Sequence, residues 1–329
     1  MTEAPRPGLA AFRAAAARIA PHVRRTFCDP SPALSDRAGV PVWLKLEHQQ
    51  ITGAFKLRGA SNAILQLPAD TVGVTTASTG NHGRAVAHAA RARGLRAVIC
   101  LSELVPENKR AAIRALGAEA RIIGMSQDEA FIEAQRLVRD EGFALIPPFD
   151  HPHVVAGQGT LGLEMADAVP DAAVVAIPLS GGGLLAGVAA AMKALNPRIR
   201  VVGVSMERGA AMAASLRAGH PVEIPERPTL ADSLGGGIGL DNGLTFAMVR
   251  DLIDDLVLLT EAEIAAGLRH LYLHERQIVE GAAAVGVGAI LAGKLPAKGP
   301  IITPLSGGNI DMALHARIMA GDLPDLMEP

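Results

Sequence analysis

Cysteine is scarce: Cys28 and Cys100 are the two in 329 residues, too few for a disulfide framework or a cysteine metal site. That scarcity fits a reducing compartment. Aromatics make up 3% of the chain, which leaves no stacking platform for nucleic acid. Neither sign of charge dominates: 31 Lys and Arg stand against 33 Asp and Glu, for a net charge of −2. Nothing electrostatic therefore favours nucleic acid or an anionic membrane as partner. No apolar run approaches the ~18 residues of a membrane span, and the N-terminus has no apolar core of signal-peptide type. The expectation is a cytoplasmic globular protein. Its 329 residues suffice for two domains.

What is present is alternation. Leu9, Phe12, Ile19 and Val23 predict an amphipathic helix over 9–24. Pro30, Pro32, Gly39 and Pro41 predict a loop before a strand over 42–46. After a helix ending near Leu65, strands are expected over 72–76, 96–101, 120–123 and 143–146, with helices over 82–93, 106–116 and 127–139 between them. Pro147-Pro148 closes this unit. Beyond it a helix is expected over 159–168, a strand over 173–178, a helix over 184–195 and a strand over 200–205. A proline-dotted stretch and the glycine run 235–239 precede helices over 244–255, 261–275 and 282–295 and a last strand over 300–304. Such alternation with short connections predicts parallel βαβ units and the α/β class.

The stretch Thr52–Ala60, TGAFKLRGA, sets Lys56 just inside a helix start. Helix N-termini favour anions, so a lysine there has a reason other than the dipole. A partly desolvated amine can be a nucleophile, Schiff-base former or general base; a snorkelling surface lysine would read the same way.

Three loops follow predicted strands at their carboxyl ends, where open α/β sheets bind ligands. Ser78-Thr79-Gly80-Asn81-His82-Gly83 offers hydroxyls at a helix N-terminus, suited to a carboxylate or to plain capping. Ser180-Gly181-Gly182-Gly183-Leu184 offers a backbone nest suited to a phosphate. Leu305-Ser306-Gly307-Gly308-Asn309 is short and polar and says little alone. Gly181, Gly183 and Ala186 also fit a G-x-G-x-x-A dinucleotide pattern with Glu207 trailing it. An NAD-binding oxidoreductase is therefore the rival reading, although it leaves Lys56 and the Asn-His loop unexplained.

A phosphate nest, an amine, a carboxylate site and a hydroxyl loop together suit pyridoxal 5'-phosphate acting on an amino acid. The segments LKLEHQQITGAFKLRGA (44–60), TASTGNHGRA (76–85), GQGTLGLE (157–164), SGGGLLAG (180–187), TLADSLGGGIG (229–239) and LSGGNID (305–311) carry a resemblance. They resemble the threonine/serine dehydratase family of fold-type II pyridoxal-phosphate enzymes, in family order over nearly the whole chain. FKLRGA with ASTGNHGRA is most similar to the hydroxyectoine-utilisation dehydratases.

The resemblance implies a tryptophan-synthase-β-like α/β fold of two domains, each an open, mostly parallel sheet flanked by helices. Residues 1–73 and 148–329 would form the large cofactor-binding domain, and 74–147 a small one with the substrate-carboxylate loop at its start. By the same resemblance Lys56 carries the cofactor as a Schiff base and Phe55 lies against its ring. Asn81 bonds the ring hydroxyl, Gly181, Gly182, Gly183 and Leu184 cradle the phosphate, and Ser306 faces the ring nitrogen. Ser78, Thr79, Gly80, Asn81 and His82 would hold the substrate carboxylate. Asp232 and the run 235–237 would border the mouth and Glu280 would lie near the ring; a turn and a helix end are the plainer readings. A homodimer is also implied.

The implied reaction is β-elimination from a β-hydroxy amino acid to a keto acid and ammonia, with the Lys56 amine removing the Cα proton. Serine, unlike a carboxylate, does not hold the ring nitrogen protonated, which favours loss of the β-substituent over transamination. Threonine, serine, 3-hydroxyaspartate and a hydroxylated diaminobutyrate derivative all fit. The alternatives are a serine or hydroxyaspartate racemase, or a cofactor-binding protein without turnover. Thr79 is the second catalytic candidate: it stands where the racemase branch has a serine acid/base, and its stiffer χ1 disfavours racemisation although its hydroxyl can still transfer protons. Related enzymes carry a Gly-Val-Glu-Pro run that supplies a cation ligand. Here Gly203-Val204-Ser205-Met206 stands in its place and Ala211 replaces an aspartate, so no metal is expected. Only a short helix and tail are expected after Asp311, without an allosteric domain, which suits a catabolic enzyme.

Overall fold

The computed structural model describes residues 5–78, 80–105, 107–295 and 298–322. Among these, ten strands form two sheets. The larger has the order β1-β2-β10-β7-β8-β9, built from Cys28–Pro30 (β1), Val42–Lys45 (β2), Ile301–Pro304 (β10), Val174–Pro178 (β7), Arg200–Met206 (β8) and Asp255–Leu259 (β9). The smaller has the order β5-β4-β3-β6, from Glu119–Ile122 (β5), Arg96–Leu101 (β4), Gly73–Ala77 (β3) and Ala144–Leu145 (β6). β1 runs antiparallel to β2; the other pairings are parallel. β7 and β10 are buried along their whole length, as parallel strands covered on both faces must be. The expected α/β class, with two mostly parallel sheets flanked by helices, is what the chain adopts.

The departures from periodicity have local causes. Residues 30–41 hold β1 and a helix, Pro32–Ala38, rather than a loop. Ser31 caps that helix by accepting from Leu34 N–H, and a proline in the first turn needs no N–H. Likewise the helix Pro152–Ala168 begins well before residue 159, with Pro152 in its first turn and the His151 ring accepting from His153 N–H. The predicted helix over 244–255 stops at Leu252, and DLVLL turns into the edge strand β9. A helix over Ala211–Ala218 was hidden in what reads as a small-residue stretch.

One helix joins the two sheets' surroundings. Lys56–Ile64 is buried from Leu57 to its end and packs against Pro152–Ala168 on one side and Asn81–Ala92 on the other. A helix clamped this way fixes the position of its first residue, Lys56. Beneath it Arg58 forms a bidentate pair with Glu47 and donates to Glu164. Lys45 donates to that same carboxylate and to the Thr26 carbonyl, at 2.6 Å each.

Candidate active site

Strands β2, β10 and β7 are neighbours, so the loops after their carboxyl ends converge. The lysine loop is stitched to the loop after β10: Phe55 N–H donates to the Ser306 carbonyl at 3.0 Å, and Gly308 N–H to the Gly53 carbonyl at 2.9 Å. A bridge pairs Ala54 with Gly307. The loop after β3 faces them from the smaller sheet. Together they enclose a cavity of about 360 Å³ lined by Phe55, Lys56, Ser78, Gly80, Asn81, His82, Gly181–Leu184, Glu280 and Ser306, with Asp232 and Gly235–Gly236 also on its wall. The structure thus brings together the predicted site residues that it describes. Thr79 lies outside the described residues.

Lys56 opens into this cavity from deep in the protein. Its Nζ donates to the Pro148 carbonyl at 2.8 Å and lies 5.4 Å from the Phe55 ring centre. Burial pushes the amine down to about 8, against the pull of Glu280. It is therefore poised to lose its proton near neutral pH, as a nucleophile or base requires.

The helix Gly183–Leu195 aims its N-terminus at the cavity. Its first N–H groups have no carbonyl in the preceding turn to bond, and Gly182, at φ +89°, supplies the left-handed cap. A Cβ on Gly181 would strike the Phe149 ring, and one on Gly183 would lie 2.9 Å from Phe149 Cβ. The Thr245 hydroxyl pins the loop through the Gly181 carbonyl at 2.8 Å.

Across the cavity, Gly80 caps the helix Asn81–Ala92 without a side-chain bond. Ser78 Oγ accepts from Gly83 N–H at 3.2 Å, which holds the loop against that helix start. His82 points its Nε2 at the Ile146 carbonyl, 2.8 Å away, and is 3% exposed. Burial and the nearby Lys56 push it down to about 3, so the imidazole is neutral. What His82 can offer an anion is its backbone N–H. Glu280 sits at the N-cap of the helix Gly281–Leu291 without capping it. It instead accepts from Asn81 Nδ2 at 2.7 Å. Burial, with Asp232 adding to it, pushes this carboxyl up to about 7.

Sequence reasoning missed Phe149 and the Pro148 carbonyl, which the prolines marked only as a boundary. It missed Lys109, which reaches the cavity wall from the helix Glu107–Ala115. No pattern in the sequence announces that a helix of the smaller sheet closes the larger sheet's cleft. Glu207, which supported a dinucleotide site, follows β8, takes the Leu259 carbonyl on its N–H and is not on the cavity wall.

These residues fit pyridoxal phosphate: a deprotonatable amine, a glycine nest at a helix N-terminus and an aromatic face within one cavity. The comparisons agree. The family pattern described as pyridoxal-phosphate dependent enzyme matches residues 19–307. A Sinorhizobium fredii protein assigned provisionally as a threonine dehydratase is 59% identical over 324 residues, 98% of each chain. The L-threonine ammonia-lyase of Thermotoga maritima is 41% identical over 300 residues, 90% of this chain and 74% of that one. Among solved structures, maize serine racemase superposes with a TM-score of 0.90 at 33% identity, covering 96% of this chain and 98% of the other.

Proposed function

The chain belongs to the pyridoxal-phosphate-dependent enzymes of the threonine/serine dehydratase family, and we propose that Lys56 is the residue through which it releases ammonia from a small β-hydroxy amino acid. It is an ammonia-lyase by that kinship, and its cofactor is pyridoxal 5'-phosphate. The observation that carries the residue-level reading is the buried Lys56 amine, pushed down to about 8 in a cavity shared with the glycine nest. Bound pyridoxal phosphate supplies an electron sink that acidifies the substrate's Cα–H and lets a β-hydroxyl depart.

The chain's own groups do the rest. Gly181–Leu184 would anchor the phosphate through backbone N–H groups, and Phe55 would flank the ring. Ser306, 3% exposed on the cavity wall, would meet the ring nitrogen with a neutral hydroxyl. The N–H groups of the loop after Ser78 would take the substrate carboxylate, with His82 neutral beside them. Lys56, its amine pushed down to about 8 and so within reach of deprotonation, would accept the Cα proton. By this division of labour, residues 1–73 and 148–329 would hold most of the cofactor, and 74–147 the substrate carboxylate and, through Asn81, the ring oxygen.

The substrate is set by what fits between Asn81, Asp232 and Lys109. Threonine and serine are the first candidates, given the threonine ammonia-lyase among its relatives. The hydroxyectoine-related dehydratases supply the further candidate of a hydroxylated diaminobutyrate. The test is a panel of β-hydroxy amino acids assayed for ammonia and keto acid, with chiral analysis of the remaining substrate. Ammonia from threonine or serine supports elimination. Inversion of configuration without ammonia would favour the racemase reading, for which the likeness to maize serine racemase speaks. No helix among the described residues is long and apolar enough to cross a membrane.

A further inference from the structure

A directed chain of hydrogen bonds runs behind the cavity. Arg84 donates to Asn309 Oδ1 at 2.9 Å. Asn309 Nδ2 donates to Asn81 Oδ1 at 2.7 Å and to the Thr52 carbonyl at 3.0 Å. Asn81 Nδ2 in turn donates to Glu280 Oε1 at 2.7 Å. An amide side chain can in principle be turned end for end, since its oxygen and nitrogen have the same shape. Here two partners of Asn309 forbid it. A guanidinium only donates and a backbone carbonyl only accepts, which fixes Asn309. With Asn309 fixed, Asn81 must present its oxygen to Asn309 and its nitrogen to Glu280. One polar group of Asn81 is then left without a partner among the described residues: its second N–H, on a residue that lines the cavity.

The backbone makes room for this chain at two points. A Cβ on Gly53, whose φ is +76°, would lie 2.7 Å from Asn309 Oδ1, and one on Gly307 would lie 2.6 Å from Glu280 Oε1. Both glycines belong to the loops that carry Lys56 and Ser306.

Resting on the pyridoxal-phosphate reading of the site, we propose that Arg84, Asn309 and Glu280 are positioning residues. They hold Asn81 with its N–H, never its carbonyl, toward the cofactor's ring oxygen, so that the site selects the deprotonated, hydrogen-bond-accepting form of that oxygen. Glu280 accepts at Oε1 in either protonation state, because a proton can reside on its other oxygen. The charged groups around it are Lys56, Arg84 and Asp232.

The experiment uses the purified holoenzyme, and reads the visible spectrum at fixed pH and the cofactor's dissociation constant. Borohydride labelling of Lys56 is followed in parallel. Asn309→Asp places an acceptor against Asn81, which must turn its amide to donate to it. The Asn81 carbonyl would then face the ring oxygen, which would have to keep its proton. Most of the absorbance should move from the yellow band to the near-ultraviolet, and the dissociation constant should rise at least about tenfold, or 1.4 kcal/mol. Lys56 should still take the label. Asn309→Ala removes the donor that fixes the Asn81 oxygen and should give both bands; it carries the test alone if Asn309→Asp does not fold, while Glu280→Ala, which leaves the Asn309 amide in place, should shift the bands less. Arg84→Gln should shift the bands least, since the Thr52 carbonyl still orients Asn309. Wild-type spectra and affinities in all of these, with Lys56 labelled, would overturn the inference. A wild-type protein that takes no label on Lys56 would instead overturn the functional reading beneath it.

Discussion

Two buried polar clusters flank the start of the helix Lys56–Ile64, and they handle charge in opposite ways. In the cluster around Arg58, every ion has a counter-ion. Arg58 and Glu47 are 1% and 0% exposed and face each other at 2.8 Å, while Lys45 pairs with Glu164 at 2.6 Å. Burial alone would raise the Glu47 carboxyl, and the Arg58 guanidinium, helped by the Thr26 hydroxyl and Lys45, more than reverses it. Around Lys56 the charges are unmatched. No salt bridge joins Lys56 or Glu280 to a partner among the described residues, so burial pushes the amine down to about 8 and the carboxyl up to about 7. Matched burial gives rigidity and fixed ionisation; unmatched burial leaves groups close to titration, where proton transfer is cheapest. Residues two apart on one helix thus serve structure and chemistry respectively.

The largest break in this contrast is Lys56→Ala. Ammonia release should fall about 10⁴-fold, the upper range for a lost general base, while the unfolding temperature of the cofactor-free protein holds or rises because an unmatched amine is gone. Fluorescence-monitored melting alongside the ammonia assay reads both. A fall in stability as large as the fall in rate would merge the two clusters into one.

Arg58→Met comes next. It strands Glu47 without a counter-ion, at a cost of about 3–5 kcal/mol, read by denaturant unfolding. Turnover of the surviving folded fraction should change far less. A cost below about 1 kcal/mol would mean that the network is solvated.

The pH dependence of stability separates the clusters by sign. Glu280 is raised in the folded protein from 4.5 to about 7, so its contribution to stability is present below pH 4.5 and is lost as pH rises through about 7. Glu47 is lowered from 4.5, so its contribution is present above that pH and is lost as pH falls through its folded value. In the cofactor-free protein, Glu280→Gln should flatten the decline between about pH 4.5 and 7, on the order of 2–3 kcal/mol. An unchanged slope would show that Glu280 titrates normally.

Ser306→Ala is the mildest change. It removes one neutral hydrogen bond to the ring, worth about 0.5–1.5 kcal/mol, and should weaken cofactor binding by no more than about tenfold. Equilibrium dialysis measures it, and a thousandfold loss would assign Ser306 a larger part than a single neutral contact.

The clusters also differ in how far the sequence reveals them. The unmatched one lies partly on loops whose residue types are costly without a purpose, such as three successive glycines or a lysine at a helix start, which single out Lys56 and the glycine nest, whereas Glu280 enters only through the family resemblance. The alternation of strands and helices was legible for the same reason: buried parallel strands need apolar runs. The matched cluster was invisible, because Glu47, Arg58 and Glu164 have the spacing of solvated charges and only the tertiary fold brings them together. Asn309 was quoted in a motif without a task, since its task depends on an amide from the other sheet. β9 and the helix Pro152–Ala168 were misjudged because one short apolar run suits either element and because a proline can begin a helix as well as end one.

The most direct test of the account is to locate the cofactor. The purified protein should be yellow, and borohydride should bleach it and leave a pyridoxyl group on the peptide that contains Lys56. A label on another lysine, such as Lys109 at the cavity wall, or a protein that takes up no pyridoxal phosphate, would contradict the claim that the unmatched amine is the reacting one.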